Sequence, residues 1–486
     1  MLTMLSRRNF SLLWLAWMIS LAGDWVLLAA LPFYVYIRTG STLATGVMFM
    51  AETLPALLIG PVAGVFVDRW DRRATLVIGS IVQGACVLLL LLVSAGSWLW
   101  LVYLSAFVEK AIAQFTTPAG GALLPRVVED NALVPANSTV ALGSSIVGLV
   151  GPSIGGAALV LLGLPVVVIL DSASFLVAGA LVALISLSRE PQGQHARLPA
   201  GVVATWTGVW QDWWEGVWLL RKDPLLPSLF VVKAVAGFGQ GIITVLLVVF
   251  VREVLVRGAV EFGWLLSAQG MGGIIGGLLV ARASKRIGPA RLLAYGLGAA
   301  GVLFLAVINV GVLWLALVLF AAIGVCIVGW TVSEWTILQR SVADPYRGRV
   351  LSAYLTTYAL MTLSGMGVAS ALTGLFGVVP LLDLAGVLYL LAGGVALVRV
   401  DSGVAWDNAA AMHVRAVEGL LVEELGPFLD GRRPLADRPD LASDMDAVLE
   451  LMALDGVDDE RYLAEYVRAL LRPANSPTGQ TSDDVT

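Results

Sequence analysis

The sequence predicts an all-α membrane protein with twelve transmembrane helices in two six-helix halves. Hydrophobic residues make up 58% of the 486 residues, and charged residues make up only 13%. Soluble domains carry about 25% charged residues, so this composition excludes an ordinary soluble enzyme, and it excludes a disordered chain as well. Two cysteines and two histidines are too few for a disulfide framework or a histidine-rich metal site. We therefore expect neither a metal nor a cofactor.

Apolar stretches of membrane-spanning length recur through most of the chain. A helix needs about 18 or more such residues to cross a bilayer. The first stretch is too long for the core of a signal peptide, and we predict that it is retained as a helix. The twelve predicted helices cover residues 10–37, 43–66, 74–95, 98–118, 138–162, 164–187, 228–252, 262–281, 290–309, 312–333, 350–374 and 379–399.

Basic residues in the loops predict the orientation. The loops on one side of the predicted bundle carry 18 Lys and Arg residues, and those on the other side carry three. Cytoplasmic loops hold the excess of positive charge, so both termini should lie in the cytoplasm. An even number of spans also requires both termini to share a side. We expect a multi-pass protein of the cell membrane.

Composition divides the chain into four parts. Residues 1–187 and 228–400 form the two predicted halves, and residues 188–227 form a middle loop between them. The loop carries five tryptophans on one helical face: Trp206, Trp210, Trp213, Trp214 and Trp218. Because tryptophan favours the membrane interface, we predict an amphipathic helix on the cytoplasmic membrane surface. The alternative is a helix packed against the inner face of the bundle.

The fourth part, residues 401–486, is an acidic tail with a net charge of −11, whereas the remainder of the chain carries +6. Its apolar residues predict three short helices, and its end, from Asn475, is predicted to be disordered. The acidity of the tail argues against nucleic-acid binding. The tail could regulate transport, aid stability or act as an output module, and the sequence leaves these alternatives open.

One motif occurs once in each half. The loop after the second predicted helix reads GVFVDRWDRR from Gly64, and the loop after the eighth reads GLLVARASKR from Gly277. The glycine and three basic positions align without a gap, 213 residues apart, while Asp68 is replaced by Ala281. Parallel six-helix repeats of this kind are typical of transporters.

The segment GPVAG from Gly60, followed by DRWDRR from Asp68, resembles motif A of the major facilitator superfamily. Its form is similar to that of the branch that contains the enterobactin and macrolide exporters. The resemblance covers about residues 6–400 and implies alternating access by a functional monomer. It also implies a latch that holds the outward-open state, formed by Gly64, Asp68, Arg69, Arg72 and Arg73.

Physical chemistry supports a latch at this motif. Asp68 can pair with Arg72 at i+4 and can accept hydrogen bonds across the interface between the halves. A charged contact that forms in one state and breaks in the other is a bistable element. The alternative is that the arginines only follow the positive-inside rule, which leaves the aspartate unexplained.

The fifth predicted helix carries a glycine-rich face with a proline. It resembles motif C, which marks antiporters of the superfamily and therefore implies export. A bent, glycine-faced helix should pack closely against its counterpart in the other half. Ordinary close packing is the alternative. The residues are Gly148, Gly151, Pro152, Gly155 and Gly156.

Ionisable residues inside the predicted spans are functional candidates, because a charge in the bilayer is costly. Burial in a low dielectric favours the protonated form of a carboxyl group, which allows proton exchange. The proton-coupling candidates are Asp24 and Asp171 in the outer half of the membrane and Glu109 near its midplane. Structural pairing of each acid is the alternative.

Further polar residues are candidates for lining the substrate cavity: Glu52, Lys110, Gln114, Lys233 and Glu334. Glu109 and Lys110 point about 100° apart on their helix and should not face each other. Lys110 should instead meet a carboxylate on another helix or face a water-filled cavity. The drug-antiporter motif on this helix has an arginine followed by Gln-Gly, and this chain departs from it with Lys110 and Gln114 at a different spacing.

Aromatic residues near the centre of the predicted spans could stack on a large ligand, although most such residues face lipid or pack. The candidates are Trp25, Phe115, Phe238, Trp330 and Trp335.

These observations predict a secondary transporter, and not an enzyme, that exports a small drug-, macrolide- or siderophore-like molecule in exchange for protons. The sequence has no G-x-x-x-x-G-K-[ST] motif, so we expect no nucleotide partner. One alternative is a nutrient importer or uniporter of the same fold. Another is a non-transporting membrane sensor that acts through its tail. The expected partners are the substrate, protons and the lipid bilayer.

Overall fold

The computed structural model describes residues 2–95, 98–129, 132–186, 225–342 and 344–401, and all regular secondary structure within these residues is helical. The predicted surface helix of the middle loop and the predicted acidic tail lie outside the described residues.

The helices fall into two sets along the chain. The N-terminal set comprises α1 (Leu2–Leu5), α2 (Arg8–Thr39), α3 (Thr42–Leu58), α4 (Gly60–Arg69), α5 (Arg72–Leu88), α6 (Leu90–Ala95), α7 (Trp100–Val127) and α8 (Leu133–Ala183). The C-terminal set comprises α9 (Leu225–Glu253), α10 (Ala259–Ile287), α11 (Pro289–Val310), α12 (Leu313–Ser341), α13 (Asp344–Phe376) and α14 (Val378–Val395), followed by a π-helical turn at Ala396–Val400.

Each predicted span lies on a helix or on two consecutive helices. Several ends differ from the prediction; α7 runs to Val127 and α12 to Ser341, beyond the predicted ends at 118 and 333. The structure also divides or joins predicted spans at three places. The span predicted at 43–66 breaks at Ile59, because Pro61 begins a new helix at its first turn. The span predicted at 74–95 is divided at Leu89. The spans predicted at 138–162 and 164–187 meet within α8.

Gly163 is the single non-helical residue inside α8, with φ 79° and ψ 169°. Residues with a side chain rarely adopt this backbone conformation, whereas glycine does so without penalty. The chain therefore turns back on itself at one residue and forms a hairpin of two long helices.

Nine helices among the described residues are long and apolar enough to cross a membrane. Three features account for the difference from the twelve predicted spans. The hairpin α8 counts once, α3 has only 17 residues, and α7 carries Glu109, Lys110 and Gln114 in its centre. Large apolar side chains such as Ile78, Leu278 and Val318 are exposed on the outer surface of the bundle, as expected for a surface that meets lipid.

The two sets pack against each other through α8 on α10 and α3 on α13. Close approach is possible because glycines lie at the first contact: a Cβ atom added to Gly156 would strike the Ala259 carbonyl group, and one added to Gly263 would strike that of Pro152. The Ser153 and Ser267 hydroxyl oxygens lie 2.7 Å apart across this contact.

A second contact between the two sets joins the C-terminal end of α2 to the C-terminal end of α9. There the Tyr36 hydroxyl group donates a hydrogen bond to the Glu253 carboxylate.

Candidate functional site

The first candidate site lies between α2 and α7. The Lys110 Nζ atom lies 3.1 Å from Asp24 Oδ1 and 2.7 Å from Glu109 Oε1. The Glu109 side chain is only 7% exposed, whereas those of Lys110 and Asp24 are 31% and 30% exposed. One ammonium group is therefore shared by a buried carboxylate on its own helix and a half-buried carboxylate on another.

The expectation that Glu109 and Lys110 would not face each other is wrong. Their Cβ atoms do point in different directions, but a lysine has four methylene groups and can bend its ammonium group back to a neighbouring carboxylate. The expected contact of Lys110 with a carboxylate on another helix is present, and its partner is Asp24. Gln83, on α5, donates to the Glu109 backbone carbonyl oxygen at 3.3 Å and ties α7 to α5 at this level.

Asp171 lies beside this ion-pair cluster but not within it. It is fully buried, and neither carboxyl oxygen has a hydrogen-bond partner among the described residues. A Cβ atom added to Gly23 would strike its Oδ1 atom, so the carboxyl group abuts the α2 backbone directly next to Asp24. The neighbouring Ser172 hydroxyl group donates to the Gly84 carbonyl oxygen at 2.8 Å and fixes the packing of α8 on α5.

Two further predicted cavity residues lie near the cluster. Glu52, on α3, lies close enough to Lys110 and Asp24 for its carboxyl group to be attracted by the lysine and repelled by the aspartate. Gln114 donates to the backbone carbonyl oxygen of Lys110 at 3.3 Å, one turn earlier on α7. The N-terminal set thus places two carboxylates in contact with one lysine and two further carboxyl groups, on Glu52 and Asp171, nearby.

The second candidate site lies in the C-terminal set. The Lys233 Nζ atom, from α9, lies 2.9 Å from Glu334 Oε1, on α12. The Tyr354 hydroxyl group, from α13, donates to the same carboxylate oxygen. The lysine also lies over two rings, 4.4 Å from the Tyr358 centroid and 5.4 Å from the Tyr354 centroid. The side chains of Lys233 and Glu334 are 17% and 6% exposed.

Sequence reasoning predicted Lys233 and Glu334 separately and missed both tyrosines. Tyr354 and Tyr358 are spaced four residues apart and therefore share a face of α13. That spacing is the one feature of the sequence that could have pointed to the two tyrosines as site residues, and it is equally typical of residues that only pack.

An aromatic cavity of about 240 Å³ is lined by residues of both helix sets. Six of its aromatic lining residues are Trp25, Phe49, Phe262, Phe304, Trp330 and Tyr389. Gln240 contributes a polar group, accepting a hydrogen bond from the Tyr389 hydroxyl group at 2.8 Å. Trp25 and Trp330 were among the predicted aromatic candidates. Phe115, another candidate, instead stacks on Trp70 with the ring centroids 5.6 Å apart.

The predicted latch is described only in part. The backbone of α4 runs through Gly64 and ends at Arg69, but the Asp68 side chain lies outside the described side chains, so its pairing with Arg72 stays a prediction. Arg73 donates to the Ala183 carbonyl oxygen at the end of α8.

The second acid of the same motif has a local role that sequence reasoning missed. Asp71 caps the N-terminus of α5, and its carboxylate accepts a hydrogen bond from the Ala74 amide at 2.6 Å. An aspartate directly before a helix is a recognisable capping signal.

The glycine face of α8 contacts helices other than the expected counterpart. A Cβ atom on Gly151 would meet Trp25, and one on Gly155 would meet the Val26 backbone, both on α2. A Cβ atom added to Gly148 would lie 3.5 Å from the Trp25 ring, in ordinary contact. On its other side, α8 contacts α10 through Gly156 and the carbonyl group of Pro152. The expectation of packing against the equivalent helix is therefore corrected, because the glycine face lies between α2 and α10.

A family model described as the Major Facilitator Superfamily matches residues 13–366 and, in a second match, residues 229–442. The chain belongs to the major facilitator superfamily. It is accordingly a multi-pass membrane transporter of a family whose members are generally non-enzymatic carriers of small molecules.

Several relatives of this major facilitator protein are bacterial. The chain is 24% identical to the uncharacterized MFS-type transporter YfiS of Bacillus subtilis, over 78% of the chain and 90% of the relative. It is 25% identical to the multidrug efflux pump Tap of Mycolicibacterium fortuitum, over 75% and 87%. It is 24% identical to macrolide efflux protein A of Streptococcus pyogenes, over 47% and 55%.

Solved structures share the fold. A bacterial homologue of the iron transporter ferroportin in its inward-facing state aligns with a TM-score of 0.65 at 18% identity, over 80% of this chain and 98% of that one. Its outward-facing state aligns with a TM-score of 0.55. Among the residues that the structure describes, no group of three or more His, Cys, Asp or Glu side chains is arranged to hold a metal ion.

Proposed function

We propose that this major facilitator protein is a secondary active exporter of a small organic molecule and that proton antiport drives it. The observation that carries the proposal is the position of Lys110, whose ammonium group is shared by Asp24 and Glu109 inside the helix bundle. Such a shared charge responds directly to protonation of either carboxyl group.

The cluster can couple protons to a conformational change as follows. When Glu109 is ionised, it holds Lys110 at 2.7 Å, and the lysine bridges α7 to α2 through Asp24. When Glu109 takes up a proton, it loses its charge and with it the attraction for the ammonium group. Lys110 is then held by Asp24 alone, and the balance of forces between α2 and α7 changes. Protonation on one side of the membrane and deprotonation on the other give a proton-driven cycle.

The aromatic cavity supports a substrate with a ring-bearing or amphipathic body. Trp25 lines the cavity and directly follows Asp24 of the first candidate site in α2. The volume of the cavity, about 240 Å³, is below the range of about 300–1,000 Å³ that is typical of pockets for drug-sized ligands. The cavity as described therefore accommodates one ring system, and a larger substrate requires the helices to separate.

The names of two relatives, macrolide efflux protein A and multidrug efflux pump Tap, support export as the direction of transport.

The remaining features of the proposal concern the whole molecule. Residues 1–187 and 228–400 rock against each other as two halves of a monomer in the cell membrane, with both termini in the cytoplasm. Asp68 and the arginines after it latch the cytoplasmic side when the protein opens outward. The contacts at Ser153 and Tyr36 join the two helix sets away from the termini, so they have to break when the protein opens outward.

An accumulation assay tests the proposal. Bacteria that lack their major exporters and produce this protein should retain less of a fluorescent drug, a macrolide or a siderophore than cells with an empty vector. An uncoupler should abolish the difference. The double substitution Asp24→Asn, Glu109→Gln at equal membrane abundance is the matched control and should behave like the empty vector. Higher retention with the intact protein would establish import, and an effect that persists with the uncoupler would exclude proton coupling.

A further inference from the structure

We propose that Glu334, Tyr354 and Tyr358 form a binding site for the ammonium group of an organic cation, and that Lys233 occupies this site until a substrate displaces it. The inference rests on the proposed transport function and specifies the class of substrate. Its failure would leave proton-coupled transport itself intact.

The site has the composition that binds an ammonium group. The Glu334 carboxylate is nearly buried and points its Oε1 atom at Lys233 Nζ, 2.9 Å away. The Tyr354 hydroxyl group donates to the same oxygen and orients it. The faces of Tyr358 and Tyr354 lie 4.4 and 5.4 Å from the ammonium nitrogen. A carboxylate and two aromatic faces within about 6 Å of one cation satisfy both the ionic and the cation–π requirements.

Lys233 is suited to be a replaceable occupant. Its ammonium group is a compact charge on a flexible stem, and 17% of its side chain is exposed. Rotation about the bonds of this stem can move the ammonium group away from Glu334. Glu334 is less exposed, at 6%, and would be left without a cation if nothing replaced the lysine. Since a buried carboxylate without a partner is costly, a substrate cation is the natural replacement.

The ammonium site and the aromatic cavity have residues on shared helical faces. Trp330, which lines the cavity, precedes Glu334 by four residues on α12, which places the two on one helical face about 6 Å apart along the axis. On α9, Gln240 lines the cavity and follows Lys233 by seven residues, again on one face. A substrate can therefore place a ring system among the cavity aromatics and its cationic group beside Glu334.

The charge that remains at the ammonium site favours a cation over an anion. Lys233 and Glu334 are paired there at 2.9 Å. When Lys233 moves away, the Glu334 carboxylate remains, and it attracts a cation and repels an anion.

The test uses a permanently charged probe and a neutral probe of the same shape. Biphenylmethyl-trimethylammonium is the cation, and its tert-butyl analogue is the neutral isostere. Equilibrium binding of each probe is measured on the purified full-length protein in detergent. We expect the wild-type protein to bind the cation at least about ten-fold more tightly than the isostere. Glu334→Gln should bring the two affinities within about two-fold, because it removes the charge and keeps the shape.

The aromatic faces are tested separately. Tyr358→Leu should lower the preference for the cation by about three-fold or more. Tyr295→Leu is the matched control, because Tyr295 is an exposed tyrosine on α11, and it should leave the preference unchanged.

Displacement is tested with Lys233→Met, which empties the site. Because no lysine then competes, the affinity for the cation should rise by about ten-fold over the wild-type value. The wild-type protein and all variants are compared at the same pH. If Glu334→Gln does not fold, the uncharged double variant Lys233→Met, Glu334→Gln replaces it and should bind both probes equally.

Two results would overturn the inference. One is a full preference for the cation in the variants that lack the Glu334 charge. The other is an affinity of Lys233→Met for the cation that does not exceed the wild-type value. Proton-driven efflux of an uncharged substrate by the wild-type protein would show that the proposed function stands even when the inference fails.

Discussion

Replacing Glu109 with glutamine should uncouple transport from the proton gradient while leaving the protein folded. The substitution removes one carboxylate from the pair at 2.7 Å and keeps the size and shape of the side chain. The hydrogen bond that Gln83 donates is unaffected, because its acceptor is the backbone carbonyl oxygen of residue 109. Lys110 retains Asp24 at 3.1 Å. The helices should therefore keep their positions.

The expected loss of stability is small. A hydrogen bond between charged groups contributes about 1.5–3 kcal/mol. This loss is offset in part, because a carboxylate that is 7% exposed no longer has to be desolvated. We expect a net destabilisation of less than about 2 kcal/mol and a melting temperature within a few degrees of the wild-type value.

The effect on coupling should be large by comparison. Exchange of one proton per substrate across one pH unit provides about 1.4 kcal/mol, which corresponds to about ten-fold accumulation. Proteoliposomes with an acidic lumen and a clamped membrane potential should therefore accumulate substrate about ten-fold with wild-type protein. With Glu109→Gln the ratio should be about one, while exchange of labelled for unlabelled substrate persists.

A carboxyl group elsewhere in the bundle provides the control. Asp383, on α14, accepts a hydrogen bond from the Asn309 side chain at 2.9 Å, and Asp383→Asn should accumulate substrate like the wild type. Accumulation by Glu109→Gln that follows the pH gradient as in the wild type would refute the coupling mechanism.

Three further predictions concern the conformational cycle. Gly156→Ala places a methyl group against a backbone carbonyl group of α10, so it should reduce transport at least about ten-fold at equal abundance, whereas Gly121→Ala, which meets no atom within 4 Å, should transport normally. Tyr36→Phe removes a hydrogen bond to the Glu253 carboxylate. Such a bond contributes about 1.5 kcal/mol or more, so spin-label distances between α2 and α9 should show about ten-fold more of the separated state. Asp68→Asn should impair efflux with little loss of folded protein, and unchanged efflux would exclude the latch.

Helix positions could be predicted from the sequence because hydropathy reports directly on membrane burial. The remaining differences depend on single residues whose effect is local. Gly163 joins two spans without a loop, and its positive φ has no signature beyond the glycine itself. Pro61 lies inside a continuous apolar stretch, so the break before it was not visible in hydropathy.

The ion pairs could be predicted only in part, because a sequence gives the direction of a Cβ atom and not the path of a long side chain. The 100° separation of Glu109 and Lys110 was correct, and the conclusion drawn from it was wrong. The partner of Lys110 on another helix was predicted as a chemical type, and only the packing of α2 on α7 identifies it as Asp24. Tyr354 approaches Glu334 from a different helix, and no spacing along the chain relates the two.

The hairpin at Gly163 has a mechanical consequence. One residue is too short a connection to separate the two arms of α8 at that end, so they stay adjacent there. One arm rests against α10 of the opposite set through Gly156, and the other places Asp171 against α2 beside Asp24. A displacement of the first arm at the surface between the two sets therefore also pulls on the arm that carries the buried acid. The sliding of two protein surfaces and the surroundings of that acid are thus connected through one short covalent joint.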